Sequence, residues 1–404
     1  MEETSLRSPP KFANPKRGQT PFRGLTPFDF EALPRLCILA GPAGIGKTQE
    51  SLEQFLKLTR RTKNPFQADV LYLLPSAEHR ERILDLILRK EGSGFFGERI
   101  LTFNRLMQDL LKKGDFELAT DAQRRFLLSD IITTQAADVF SSVRDLPGFL
   151  ESLSDFLGEL KDSMMSLEGF RKAVQKLKKL HPEWAAKYEA LFEIYKSYEN
   201  RLEGLGLRDR RDGLFLLKET LNREGAGQPR FHHIFVDGFF DFSRSQIEFL
   251  DWLGERSQRV TLAMTVECSE ERKELFEIPL QTIRELEKRG FQTVELRASS
   301  NYRALSPTLT HLEKNLFKAG AESLSSGDIL ILEATGLRGE AEMIAREIRR
   351  LVKTLGIHFS DIAIILRRMG KYDGILRAVF REFDIPSEIH EREKIGRASC
   401  RERV

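Results

Sequence analysis

The apolar residues of this chain come in two rhythms. The first is a series of short, nearly unbroken runs: Leu36–Ala40, Val70–Leu74, Arg99–Asn104, His232–Asp237 and Val260–Val266. Runs of this length without a continuous polar face read as strands covered on both sides. Between the first three the spacing changes to three and four, over roughly Lys47–Arg61, Ala77–Lys90 and Arg105–Leu111, the mark of helices with one apolar face. Strands separated by single helices predict a parallel sheet with right-handed crossovers, an α/β fold.

From about Asp115 to Leu221 only the helical rhythm is present. Leu146, Phe149, Leu153, Phe156 and Leu160 make one stripe, and Trp184, Tyr188, Tyr195, Tyr198 and Leu202 another. Such stripes read as helix–helix core rather than as a cofactor box. Strand runs return afterwards, so the block is an all-helical insertion into the sheet domain. A second series then follows, with strands expected at Thr293–Leu296, Ile329–Glu333 and Asp361–Leu366 and helices near Leu305–Phe317, Gly339–Leu355 and Lys371–Phe383. The organisation expected is a proline-rich basic arm over 1–30, a first α/β domain over 31–105 and 229–288, a helical insertion over 106–228, and a second, incomplete α/β domain over 289–394.

Candidate chemistry lies where the first run ends. Leu36–Ala40 enters Gly41-Pro42-Ala43-Gly44-Ile45-Gly46-Lys47-Thr48, and a helical pattern follows. Glycines let successive backbone N–H groups turn inward around a polyphosphate, and the helix N-terminus adds partial positive charge. In this pattern Lys47 reaches the β/γ-phosphates and Thr48 ligates Mg²⁺. The nucleotide-binding candidates are therefore Gly41, Gly44, Gly46, Lys47 and Thr48; a plain strand-to-helix turn is the bland alternative. Asp237, closing the run His232–Val236, is the acid expected to hold Mg²⁺ with Thr48. Neighbours on a strand point to opposite faces, so the His232–His233 pair does not read as a metal site.

Composition narrows the classes further. The 404 residues are 41% hydrophobic and 31% charged, with a formal charge of only +3, so a DNA-binding surface has to be a local patch. No apolar run approaches the ~20 residues of a membrane span. The three cysteines, Cys37, Cys268 and Cys400, are scattered without C-x-x-C spacing. That spacing predicts a reducing cytoplasm and neither a zinc site nor a self-contained iron–sulfur site. Ile395–Val404 reads as the in-frame translation of a short-read sequencing adapter, an expectation under which native sequence stops near Lys394.

With a P-loop in place, two RecA-like halves, the first split by a helical insertion and the second truncated, resemble superfamily 1 helicases of the UvrD/Rep type. Thr102-Phe103-Asn104 sits where that family has a strand-contacting Thr-Phe-His turn, which makes Thr102 and Phe103 candidate DNA contacts; a core role for Phe103 is the equal alternative. Asn301-Tyr302-Arg303 matches the family's Asn-Tyr-Arg motif, which implies that Arg303 approaches the γ-phosphate from the second domain. The acidic motif of the family reads V-D-E-F-Q-D-T with a glutamine four residues on. Here Val236–Phe242 read V-D-G-F-F-D-F, with Gln246 in register. Gly238 thus stands where the water-orienting glutamate is expected, and Phe240 replaces a glutamine.

The Asp-Gly-Phe version is similar to the AddB-type component of AddAB/RexAB-type helicase–nucleases, proteins of the PD-(D/E)xK nuclease family. The Phe249–Leu253 helix, Tyr372-Asp373-Gly374 and Phe383-Asp384-Ile385-Pro386 agree with it. The resemblance implies an ATP- and Mg²⁺-binding, DNA-binding protein acting in recombinational repair beside an AddA-type motor. It also implies an iron–sulfur nuclease domain in a missing C-terminal region. With no glutamate at 238, hydrolysis is expected to be weak while binding persists, the alternative being that Asp241 or another acid substitutes. Gly238→Glu is expected to raise it provided Arg303 closes onto the γ-phosphate and Phe240 relaxes. A non-catalytic ATP- and DNA-binding scaffold is the second reading, and an unrelated P-loop ATPase or kinase the third.

Overall fold

A strand with no polar face has to be covered on both sides, and the first run is. The computed structural model describes residues 30, 32–61, 69–91, 99–111, 116–135, 139–146, 148–224, 230–267, 270–296, 301, 306–324, 328–367 and 369–388. The basic arm before Phe30 and the segment 395–404 lie outside the described residues. The chain divides into two units, one up to Ser323 and one from Leu324.

In the first unit the elements run β1 (Leu36–Gly41), α1 (Lys47–Arg61), β2 (Val70–Leu74), α2 (Ala77–Glu91), β3 (Ile100–Thr102) and α3 (Phe103–Leu111). Then come β4 (Glu117–Leu118), α4 (Asp121–Gln135), α5 (Phe149–Asp162), α6 (Leu167–Leu180), α7 (Ala185–Gly204), β5 (Leu207–Arg208) and α8 (Gly213–Glu224). The unit ends with β6 (Phe231–Val236), α9 (Arg244–Glu255), β7 (Ser257–Thr265), α10 (Glu277–Glu287), β8 (Gln292–Glu295) and α11 (Pro307–Asn315). Six strands form one parallel sheet in the order β3-β2-β6-β7-β1-β8. β4 and β5 pair separately, two residues each, at the base of the helical block.

Strand alternation divides the core between the two faces of the sheet. Ile38, Leu71, Leu73, Ile234 and Val236 share one cluster, and Cys37, Leu39, Tyr72, Leu74 and Phe235 share the other. The same alternation leaves His232 exposed and buries His233, whose Nε2 lies 2.9 Å from Thr261 Oγ1. The helical block has its own core, built on Leu128, Ile131, Leu157, Phe170, Phe192 and Tyr198. Leu146 and Trp184, expected in its stripes, sit at their ends and are 55% and 51% exposed.

Two sequence expectations need correction. Thr293–Leu296, read as the opening strand of a second half, overlaps β8 and pairs in parallel with β1, Cys37 opposite Gln292 and Ala40 opposite Glu295. The local pattern identifies a strand, but the sheet it joins is decided by its non-local partner. In the second unit, Ile329–Glu333 and Ile362–Leu366 form no ladder among the described residues, and Ile331 and Ile365 are both 92% exposed. What that unit does pack is a helix pair, α12 (Gly336–Leu355) and α13 (Asp373–Glu382). Ala341, Ala345 and Ile348 meet Leu376, Val379 and Phe380, the alanines letting the helices approach closely.

Candidate functional site

The glycine-rich loop leaves β1, which is buried along its whole length, and turns into α1. Gly44 and Gly46 have φ of +79° and +92°, a region closed to most side chains. At Gly44 there is also no room: a Cβ would lie 2.0 Å from Asn301 Oδ1. The Asn301 amide therefore lies against the loop, within the first unit. Lys47, only 8% exposed, donates from Nζ to the carbonyls of Gly41 (2.7 Å) and Pro42 (2.6 Å). Its ammonium is thus held inside the turn of the loop, with Thr48 next to it at the start of α1.

Loop, sheet and α2 enclose a cleft of about 450 Å³. Gly44, Gly46, Lys47, Thr48 and Gln49 line one side, and Leu74, Asp237, Ala263 and Thr265, from the C-terminal ends of β2, β6 and β7, line the floor. Ligand clefts of parallel sheets open at these strand ends. His79, Arg82, Ile83 and Leu86 of α2 make the facing wall, and Gly238, Phe239 and Phe240 complete the rim.

Asp237 is 6% exposed and both its oxygens are engaged. Oδ2 accepts the Tyr72 hydroxyl at 2.8 Å, and Oδ1 accepts the Gly238 N–H at 2.8 Å. Tyr72 is fixed in turn between Phe55, edge-on at 5.4 Å, and Phe235, stacked at 6.0 Å. Burial, then the charge of Asp237 and the hydrogen bond to it, push the Tyr72 pKa well up, so the phenol stays a donor. A carboxylate oxygen accepts more than one bond, so Asp237 keeps lone pairs for a hydrated cation. A glycine loop with two positive-φ positions, an ammonium, a hydroxyl and this acid are groups that fit a polyphosphate with Mg²⁺.

Gly238 has φ +81°, and a Cβ there would lie 3.3 Å from Pro75 Cδ and 3.4 Å from His79 Cδ2. This changes the expectation for Gly238→Glu. The atoms nearest a Cβ belong to Pro75 and His79, and the backbone itself disfavours a side chain. Phe240 is 52% exposed at the rim, and Asp241 is exposed and does not line the cleft. Gln246, in register with the helicase glutamine, is engaged in a capping box: its Oε1 accepts the Ser243 N–H at 2.9 Å, and its own N–H donates to Ser243 Oγ.

The two DNA candidates separate. Thr102 Oγ1 accepts the Arg105 N–H at 3.2 Å, capping α3. The Phe103 ring is 5% exposed and packs on Phe239, Phe242 and Phe249 at centroid distances of 4.9, 6.0 and 5.9 Å, which is the core role. A ring so enclosed has no face to stack on a base. Arg303 lies outside the described residues. Two groups of the site were missed from sequence. Tyr72 was legible as the one polar atom in Val70–Leu74, and His79 with Arg82 as a basic pair at i, i+3 just after that strand.

A family model described as ADDB, N-terminal, matches residues 38–313. The chain belongs to this AddB family. Three relatives, each named as the B component of an ATP-dependent helicase/deoxyribonuclease, are similar to it along most of its length. That of Natranaerobius thermophilus is 25% identical over 386 residues, covering 88% of this chain and 32% of the relative. That of Bacillus pumilus is 26% identical over 380 residues, with the same coverage. That of Bacillus cereus is 28% identical over 388 residues, covering 89% of this chain and 32% of the relative. The chain therefore spans about a third of the length of the AddB relatives it matches. Among its described residues no helix is long and apolar enough to cross a membrane, and no group of three or more His, Cys, Asp or Glu could hold a metal ion.

Proposed function

We propose that this chain is the nucleotide-binding, helicase-like region of an AddB-type protein, which binds Mg·ATP and DNA but hydrolyses ATP poorly by itself. The observation that carries the reading is one cleft holding the Lys47 loop, Thr48 and Asp237 at the ends of parallel strands. In it, the loop N–H groups and Lys47 bind the phosphates, Lys47 exchanging its loop carbonyls for phosphate oxygens, and Thr48 and Asp237 hold the cation. Mg²⁺, when bound, neutralises charge on the β- and γ-phosphates. Tyr72 keeps the Asp237 carboxylate oriented, and Gly238 offers no group to orient water.

The sheet around this cleft supports a RecA-like first half, and α12 with α13 would flank a second, incomplete one. The DNA contact is electrostatic and salt-dependent, with Thr102 near it. The whole AddB-type protein works beside an AddA-type motor in cytoplasmic double-strand-break repair, its nuclease and iron–sulfur elements lying outside this chain, and Arg303 is the residue its motif assigns to the γ-phosphate. The decisive assay is DNA-stimulated ATP turnover by purified protein free of any partner motor. Slow or absent turnover is expected. Turnover at tens per second, abolished by Lys47→Ala, would sink the claim of a poor hydrolase and leave the nucleotide site standing.

A further inference from the structure

The wall facing the P-loop is not explained by nucleotide binding through the loop alone. His79, Arg82, Ile83 and Leu86 all line the cleft from α2. Their spacing, i, i+3, i+4 and i+7, puts them on one stripe of the helix. The stripe is polar at its start, where Arg82 carries the charge, and apolar further on. It begins beside Gly238, where the His79 ring lies 3.4 Å from the position of a Cβ at 238. The space a water-orienting side chain would enter is thus bounded by an imidazole and by Pro75.

Both basic groups are available to a ligand. No hydrogen bond or ion pair holds the Arg82 guanidinium among the described residues. Asp85, one turn on, is paired with Arg89 at 2.9 Å. His79 Nδ1 lies 2.9 Å from Ser76 Oγ, which also accepts the His79 backbone N–H at 3.4 Å as the cap of α2. With the hydroxyl donating to Nδ1, the ring hydrogen sits on Nε2, next to the Cδ2 that faces Gly238. Across the cleft, both Asp237 oxygens already accept protein donors. A cleft with unclaimed donors on one wall and a phosphate loop on the other suits an occupant with an anionic end beyond the β-phosphate.

We infer that His79 and Arg82 form a γ-phosphate-reading wall, which makes the site select nucleoside triphosphate over diphosphate and hold it rather than activate water against it. The inference rests on the nucleotide reading above. A guanidinium binds phosphate oxygens in a fixed fork, so Arg82 gives the larger share and His79 a single bond.

The test is equilibrium binding of Mg·ATP and Mg·ADP to wild type, Arg82→Ala, His79→Ala and Lys47→Ala. The wild type is expected to prefer ATP. Arg82→Ala should weaken ATP by roughly tenfold or more, the range of a charge-assisted bond, and leave ADP within about twofold. His79→Ala should do the same to a smaller degree, and Arg82→Lys should recover part of the preference. Both residues are exposed, and circular dichroism checks that the variants fold. Equal losses for ATP and ADP, or none for either, would overturn the wall while the Lys47 dependence kept the nucleotide site. Failure of wild type to bind either nucleotide would remove both.

Discussion

Replacing Gly238 by alanine isolates the reason a glycine stands in the acidic motif. The backbone there has φ +81°, and an L-residue forced into the left-handed region costs about 1–2 kcal/mol. The added Cβ also meets Pro75 Cδ at 3.3 Å, and a proline ring has no rotamer by which to withdraw. Together these place the loss at about 1–3 kcal/mol. In domains of 150–250 residues each kcal/mol lowers the melting temperature by roughly 2–4 °C, so on that scale Gly238→Ala should melt about 2–12 °C below wild type. Gly238→Glu carries the same backbone strain, and its longer side chain must pass His79. It should therefore melt at least as early and leave DNA-stimulated ATP turnover at the wild-type level. Thermal unfolding followed by circular dichroism, with turnover measured on the same preparations, reads both. Unchanged melting of Gly238→Ala would show that the glycine is not required by its backbone, and a turnover gain in Gly238→Glu would show that a carboxylate does fit.

Two further outcomes follow from buried polar contacts. Tyr72→Phe removes one donor from a carboxylate that is 6% exposed, and chemical denaturation should show a loss of about 1.5–3 kcal/mol, the range for a hydrogen bond to a charged group; a loss below about 0.5 kcal/mol would mean that the bond does not order Asp237. His233 titrates at about 3, pushed down from 6.5 first by burial and then by Arg259 and His232. The unfolded chain therefore takes up that proton first as pH falls, so the stability tied to neutral His233 is complete above about 6.5 and is lost toward about 3. The slope is at most about 1.4 kcal/mol per pH unit, and His233→Gln should flatten it; an identical slope in the variant would contradict the assignment.

Much of this architecture was legible because it is local. β2 and α1 begin and end where the apolar runs and the P-loop spacing put them, and His232 and His233 alternate as strand neighbours must. What escaped was set by distant partners. β8 looks like any edge strand until β1 is placed beside it, and Ile331 and Ile365 look like strand cores but meet no ladder among the described residues. The site divides in the same way. The loop Gly41–Thr48 and Asp237 announce themselves by residue type and order. Phe103 shares its type with a base-stacking ring, and only the packing of Phe239, Phe242 and Phe249 decides against that role. Gln246 shares its register with a helicase glutamine, yet Ser243 three residues earlier already marked a helix cap. His79 and Arg82 reach the cleft only because α2 crosses back over the sheet.

The central claim is a nucleotide site built on Lys47, and binding of Mg·ATP to wild type and to Lys47→Ala tests it most directly. On the proposed reading the ammonium, which donates to two loop carbonyls, exchanges them for phosphate oxygens in charge-assisted bonds worth about 1.5–3 kcal/mol, so the variant should bind roughly 10- to 150-fold more weakly. Equal affinities for the two proteins would contradict the account.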